Sequence, residues 1–355
     1  MEKFNIQKVL NKLKEIERLV GNTPLLKINY LYKGEKRVLF AKHECFSFSG
    51  SIKDRMAHHI LNKSYELGLI KPGDTIVEAT SGNTGIAFSA LGRALGHPVV
   101  IYMPDWMSQE RISLIKSYGA EVRLVSKEEG GFLGSISCAN GLGANNKNVF
   151  LPHQFENILN CEAHYLSTGP EIWSQMQNIC LKPDVFVAGV GTGGTVMGVN
   201  CYLKRKNPNT KVHPLEPSNS PTMSTGYCVG KHRIQGISDE FIPSVVKLNQ
   251  LDEIVEVDDG DSIIMAQKIT KELGLGVGIS SGANFLGVVK LQNTNPEANY
   301  VTMFSDCNKK YLSTDYCKEE LVKDSFISTH IKLKSFETIL VTREEIELQK
   351  FNDRI

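Results

Sequence analysis

The stretch Asp184-Val-Phe-Val-Ala-Gly-Val-Gly191-Thr-Gly-Gly-Thr195 decides the fold. Residues 184–190 are an apolar run of strand length, and a glycine-rich turn follows at once. A short apolar run closed by glycine reads as a strand buried on both faces. The turn then opens a helix, whose unpaired N–H groups and dipole suit an anion such as phosphate. The same unit occurs upstream, where 75–79 (TIVEA) leads through Thr80-Ser-Gly-Asn-Thr-Gly85 into a small-residue helix over 86–95. Working outward, further strands are expected at 38–42, 98–103, 121–125, 211–215, 275–279 and 299–304. Helices are expected from Ser51, across Glu110–Lys116, over 261–273 and after Gly282. Strands alternating with helices call for parallel sheets and crossover connections, so the fold class is α/β with doubly wound domains.

The rest of the chain is less patterned. Phe4, Val9, Leu10, Leu13 and Ile16 fall near helical spacing over residues 4–19. The Gly- and Asn-rich stretch 128–148 reads as a surface loop or a loosely set helix, and 217–243 as loop. The last ~35 residues, with the apolar run Thr338–Val341, read as a tail packing on the body or on a partner subunit.

A chain of 355 residues suits two domains. Hydrophobic residues at 41% and charged residues at 22% are ordinary globular values, and a net charge of +1 gives no reason to expect a nucleic-acid or membrane surface. Eight cysteines are scattered without CxxC spacing, which argues against zinc or a thioredoxin-type motif. The N-terminus has no apolar signal region and no run approaches the ~20 residues of a bilayer span, so a cytoplasmic protein is expected.

Four small-residue loops carry the chemistry: 45–55, 80–85, 191–195 and 280–282. All are expected to follow strands, where open parallel sheets bind ligands. Lys53, in Ser49-Gly-Ser-Ile-Lys53-Asp-Arg55, opposes the dipole of the helix it starts, which suggests use. A desolvated amine beside cationic Arg55 would have a depressed pKa, as Schiff-base chemistry requires; the plain alternative is an exposed lysine. The loop 80–85 offers hydroxyls and an amide to a substrate carboxylate, although Thr80 or Ser81 could serve only as a helix cap. The loop 191–195 could be merely a tight turn. Gly189, Gly191 and Gly194 also match G-x-G-x-x-G with Glu216 downstream, the pattern of a nicotinamide-dependent oxidoreductase. Its mid-chain position weighs against that reading, and it leaves Lys53 without a role.

Taken together, SGSIKDR, EATSGNTGIA, GVGTGGTVMG, LEPSNSP, IQGIS and GISSGAN resemble the cysteine synthase (O-acetylserine sulfhydrylase) and cystathionine β-synthase family, from about Leu19 to Asp315. These are pyridoxal-phosphate (PLP) enzymes of fold-type II, like the tryptophan synthase β chain. The resemblance implies Lys53 as the Schiff-base lysine and Gly191, Thr192, Gly193, Gly194 and Thr195 as the phosphate cradle. Asn83 would bond the ring hydroxyl, and Thr80, Ser81, Thr84 and Gln154 the substrate carboxylate. Ser280, or adjacent Ser281, would face the pyridine nitrogen and leave it neutral, favouring β-elimination. The implied cycle uses the freed Lys53 amine to take the α-proton of a small amino acid and later to return it. A homodimer is implied, with a large domain of residues 1–47 and 158–325, a small mobile domain of 48–157, and a C-terminal extension of 326–355.

The chain departs from the family pattern in places. Ser238-Asp239-Glu240 follows IQGI where cysteine synthases carry small residues, and Cys45-Phe-Ser-Phe-Ser replaces an Asn-Pro start. Asp239 could act as a base toward an incoming nucleophile, or be a cap or turn residue. The leading expectation is exchange of sulfide at Cβ, leaning to L-cysteine plus water giving L-serine plus hydrogen sulfide. Cysteine synthesis from O-acetylserine and sulfide, and cystathionine or lanthionine formation, stand as alternatives.

Overall fold

The computed structural model describes residues 6–352. In chain order its elements are α1 (Ile6–Glu17), β1 (Leu25–Tyr32), β2 (Glu35–His43), α2 (Lys53–Glu66), β3 (Thr75–Ala79), α3 (Asn83–Leu95), β4 (Val99–Pro104), α4 (Gln109–Ser117), β5 (Glu121–Val125), α5 (Gly131–Ala144), β6 (Val149–Phe150), α6 (Ile158–Leu166), α7 (Thr168–Gln177), β7 (Val185–Gly189), α8 (Gly194–Lys206), β8 (Lys211–Pro217), the single turn α9 (Thr222–Thr225), β9 (Val255–Val257), α10 (Asp259–Leu273), α11 (Ile279–Gln292), β10 (Tyr300–Phe304), β11 (Ile331–Ile339) and α12 (Arg343–Asn352).

Two sheets organise the molecule. The larger has the order β11-β1-β2-β10-β7-β8-β9 and the smaller β5-β4-β3-β6. The smaller sheet is parallel throughout. In the larger, β2, β10, β7, β8 and β9 run parallel, while β1 and β11 add antiparallel strands at one edge. The β1–β2 hairpin turns on Lys33 and Gly34, both with positive φ (51° and 88°), as a two-residue turn matched to strand twist requires. Apolar side chains cover both faces of the larger sheet, with Leu215, Val255 and Phe285 in one layer and Phe186, Val199 and Leu203 in the other. Val9, Leu13 and Ile16 of α1 pack with Met56, Ile60 and Leu91 of α2 and α3.

Several elements differ from the sequence reading. Residues 275–279 are not a strand: Val277 makes one isolated bridge to Cys307, and α11 has begun by Ile279. The loop 280–282 is therefore the first turn of a helix and follows no strand. The stretch 128–148 contains α5, whose Phe132, Ser135 and Ala139 are buried despite its glycines. Phe4 lies outside the described residues. The tail does pack on the body: β11 pairs along the whole of β1, with Ile331, Leu333 and Ile339 turned inward.

Candidate active site

The carboxyl ends of β3, β7 and β10, with the segments that follow β2 and β8, line one open cleft of about 770 Å³. Lys53, Thr80, Ser81, Asn83, Thr84, Gln154, Gly191, Thr192, Gly193, Thr195, Asp239 and Ser280 all line it. Of the expected site residues only Gly194 is set back, buried at the start of α8.

Lys53 is held at the start of α2 by its neighbours. Asp54 folds back to accept the backbone N–H of Ser49 (2.8 Å) and its hydroxyl. Ser51 bridges Asp306, and the Ile52 N–H donates to the Ser305 carbonyl (3.0 Å). The Lys53 amine makes no hydrogen bond among the described residues. Burial lowers its pKa, and the charges of Asp239 and Asp306 work the other way. Arg55 does not contribute as the sequence suggested. Its guanidinium is consumed by Glu44 (2.7 and 2.8 Å) and Glu171 (2.7 and 2.7 Å), so its charge is compensated. Lys42 adds a second cation against Glu171 (2.7 Å). Burial alone would raise the Glu171 carboxyl, but Arg55 and Lys42 hold it well below the usual range.

The loop between β3 and α3 is partly self-satisfied. Thr80 Oγ1 accepts from the Gly82 N–H (3.0 Å), a local turn bond. Thr84 donates to Gln154 Oε1 (2.6 Å), while Gln154 donates to the Ala79 carbonyl (2.8 Å). The Asn83 amide is also engaged, donating to Asp306 (2.7 Å) and accepting from Lys310 (2.9 Å). Gly82, at φ +155°, is required because the Arg111 side chain runs directly against it.

The cradle 191–195 closes β7 against α8. A Cβ at Gly191 would overlap the Gly236 carbonyl, at Gly193 Val246, and at Gly194 Asn160. These glycines are forced by the loop that carries Gly236 and Val246 and by Asn160 of α6, packed behind them, and the first-turn N–H groups of α8 remain free of intrahelical partners. Thr192 accepts from Asn160 (2.8 Å), and Thr195 meets His164 Nε2 (3.2 Å). Glu216 is not available to a ribose, because it accepts from Met223 N (2.6 Å) and from Ser224 N (3.1 Å) to cap the turn α9.

Ser280 lines the cleft, whereas Ser281 lies fully buried behind it. Asp239 sits on the loop after β8, two residues past buried Ile237. Among the described residues its carboxylate caps no helix and makes no hydrogen bond. Burial raises its pKa to about 6, Lys53 opposing and Glu240 adding to the effect.

Sequence reasoning missed one cluster. Asp306, just past β10, accepts from Asn83 and from Tyr311 (2.8 Å). Lys310 ties the Gly50 carbonyl (3.0 Å) to Asn83. Arg111, buried and stacked 4.5 Å over the Tyr311 ring, lines the cleft with Nε and one terminal nitrogen unpaired. The signal available was positional: strand 299–304 ends at Ser305-Asp306, on the same sheet edge as the other loops.

An amine without a hydrogen bond, a helix start with free N–H groups and glycines too crowded for any side chain suit an aldehyde cofactor bearing a phosphate. The model of the pyridoxal-phosphate-dependent enzymes matches residues 16–306, and the chain belongs to that family. It is a PLP-dependent enzyme of fold-type II. A probable cysteine synthase of Bacillus subtilis is 40% identical over 298 residues, covering 84% of this chain and 95% of that one. The crystal structure of a hydrogen sulfide-producing enzyme from Fusobacterium nucleatum is 58% identical with a TM-score of 0.91, covering 93% of this chain and 99% of that one. A further hydrogen sulfide-producing enzyme structure, also 58% identical with a TM-score of 0.91, is an aspartate-to-asparagine mutant complexed with an α-aminoacrylate intermediate; it covers 93% of this chain and 100% of its own. No helix among the described residues is long and apolar enough to cross a membrane.

Proposed function

We propose that this enzyme converts L-cysteine and water to L-serine and hydrogen sulfide, with Asp239 as the base that prepares the water. The observation that carries this is the Asp239 carboxylate, half-buried in the cleft near Lys53 and committed to no structural hydrogen bond. Bound PLP supplies the electron sink that lets the α-proton and then the β-substituent leave. Lys53 anchors the cofactor, takes the proton from Cα and returns it there. The backbone N–H groups of 191–195, with the hydroxyls of Thr192 and Thr195, would hold the phosphate. Asn83 would bond the ring hydroxyl, and Ser280, the serine that lines the cleft, would be the partner of the pyridine nitrogen. Thr80, Ser81, Thr84 and Gln154 hold the substrate carboxylate. Asp239 accepts a proton from water as its oxygen adds to Cβ, the atom that has lost sulfide. A hydrosulfide nucleophile would not need that base, since it is already ionised near neutral pH. The sulfide-producing relatives point the same way.

The same residues could run cysteine synthesis from O-acetylserine and sulfide, which the cysteine synthase relatives favour. Incubating the holoenzyme with L-cysteine alone separates the two. Sulfide with serine supports the proposal. Sulfide with pyruvate, or lanthionine, refutes the hydrolytic reading. Turnover of O-acetylserine with sulfide, but none of cysteine, reverses the direction.

The small unit, residues 48–157, closes over the substrate in this reading. The large unit comprises 1–47 and 158–325, the extension 326–355, and the assembly is a cytoplasmic homodimer.

A further inference from the structure

We propose that Cys45 and Cys307 form a reversible disulfide, a redox-modification site at the rim of the catalytic cleft. Neither residue has a part in the reaction above. Cys45 lies on the segment from β2 to Lys53, and Cys307 directly follows Asp306 beyond β10. β2 and β10 are paired neighbours, His43 opposite Phe304, so the two segments leave the sheet side by side. Both then meet the same backbone. The Gly276 carbonyl accepts the Asn308 N–H at 3.2 Å and lies 4.0 Å from Cys45 Sγ, and Val277 bridges Cys307. The two thiols are near enough for each to be the largest influence on the other's ionisation.

The chemistry of the pair is asymmetric. Neighbouring Cys45 is the main cause that lowers the Cys307 pKa, with Lys310 adding to it against burial. Cys45 is correspondingly pushed up, by Cys307 and by burial. Cys307 is thus the thiol that ionises more readily and Cys45 the resolving partner. Both are half-buried, so a small oxidant reaches them, whereas Cys161 is buried and the remaining cysteines are exposed.

A peroxide is the oxidant. The Cys307 thiolate attacks one peroxide oxygen, forming an S–O bond, breaking the O–O bond and releasing hydroxide. The Cys45 sulfur, losing its proton, then attacks the Cys307 sulfur. An S–S bond forms and the second oxygen leaves as water. Two thiols are oxidised, and hydrogen peroxide is reduced to two waters. The bond ties the segment that carries Lys53 to the one that carries Asp306 and Lys310. Lys310 already joins the Gly50 carbonyl to Asn83, so the tie stiffens both walls of the cleft.

The test treats reduced holoenzyme with hydrogen peroxide, alkylates free thiols and maps peptides by mass spectrometry. The expected result is a Cys45–Cys307 cross-linked peptide that dithiothreitol removes, with turnover of the enzyme's substrate falling several-fold on oxidation and recovering on reduction. In Cys45→Ser, Cys307 should accumulate as sulfenic acid trapped by dimedone, faster than exposed Cys138 or Cys228. Oxidation of Cys307 no faster than of those cysteines, or cross-links among other cysteines only, overturns the proposal. A Cys45–Cys307 bond that leaves turnover unchanged overturns its coupling to the active site. The cross-link is read by mass, so it stands or falls separately from the reaction assigned above.

Discussion

Two carboxylates bear on Lys53, and they are treated in opposite ways. Asp306 accepts from Asn83 and Tyr311, with Arg111 3.9 Å away. Asp239 is half-buried with no such partners, and desolvation raises its pKa to about 6. A buried charge without partners is costly, and a fold retains one where chemistry uses it. The contrast separates the two walls of the cleft. The Asp306 wall fixes where groups stand, and the Asp239 loop is free to exchange a proton.

Lys53 is common to both walls, and its loss is the reference effect. Lys53→Ala should abolish the visible absorbance of the bound cofactor and lower turnover by roughly 10⁴-fold or more, since it removes both the covalent anchor and the proton carrier. Spectra of the purified variant check the first and steady-state rates the second. Retention of the band would place the cofactor elsewhere.

Asp239→Asn is the next largest. Turnover of L-cysteine should fall about 10²–10³-fold, the usual worth of a general base. Substrate binding and loss of sulfide, followed by stopped-flow absorbance, should be nearly intact. The pH dependence carries the same information. A base with its pKa raised to about 6 is protonated below that value, so turnover should rise with pH through about 6. That limb should vanish in Asp239→Asn. If the limb persists, another group titrates there and Asp239 is structural.

The Asp306 wall should respond in stability before chemistry. Asp306→Ala leaves Asn83, Tyr311 and Arg111 with unpaired buried donors, and should cost about 3 kcal/mol in chemical denaturation. Activity should drop less than for Asp239→Asn at temperatures where the variant is folded. A larger activity loss with unchanged stability would move Asp306 into the chemistry.

The same division explains what the sequence disclosed. Strand–turn–helix units write their positions locally, in apolar runs closed by glycine, so Gly191 and Asn83 could be placed on their loops. Asp239 was visible because it interrupts a familiar motif. The Arg55 ion network was not visible, because Glu44 and Glu171 lie 127 positions apart in the sequence and meet only in the fold. Reading Arg55 as a free cation beside Lys53 failed for that reason. The supposed strand 275–279 failed because an apolar run of strand length can also be an extended lead-in to a buried helix. β11 was hidden because an edge strand buries little of itself, and six of its nine residues are exposed.

The smallest expected effect is the most selective probe of the Asp306 wall. Tyr311→Phe keeps the ring beneath Arg111 and removes only the hydroxyl that donates to Asp306 at 2.8 Å. One lost hydrogen bond to a buried carboxylate should cost about 1 kcal/mol, with Asn83 still bonded to the same oxygen. Turnover of the variant, read by steady-state rates on the folded enzyme, should stay within about twofold of the parent, because the hydroxyl serves the wall's geometry and touches none of the reacting atoms. A loss of activity well beyond the stability cost would bring Tyr311 into the chemistry.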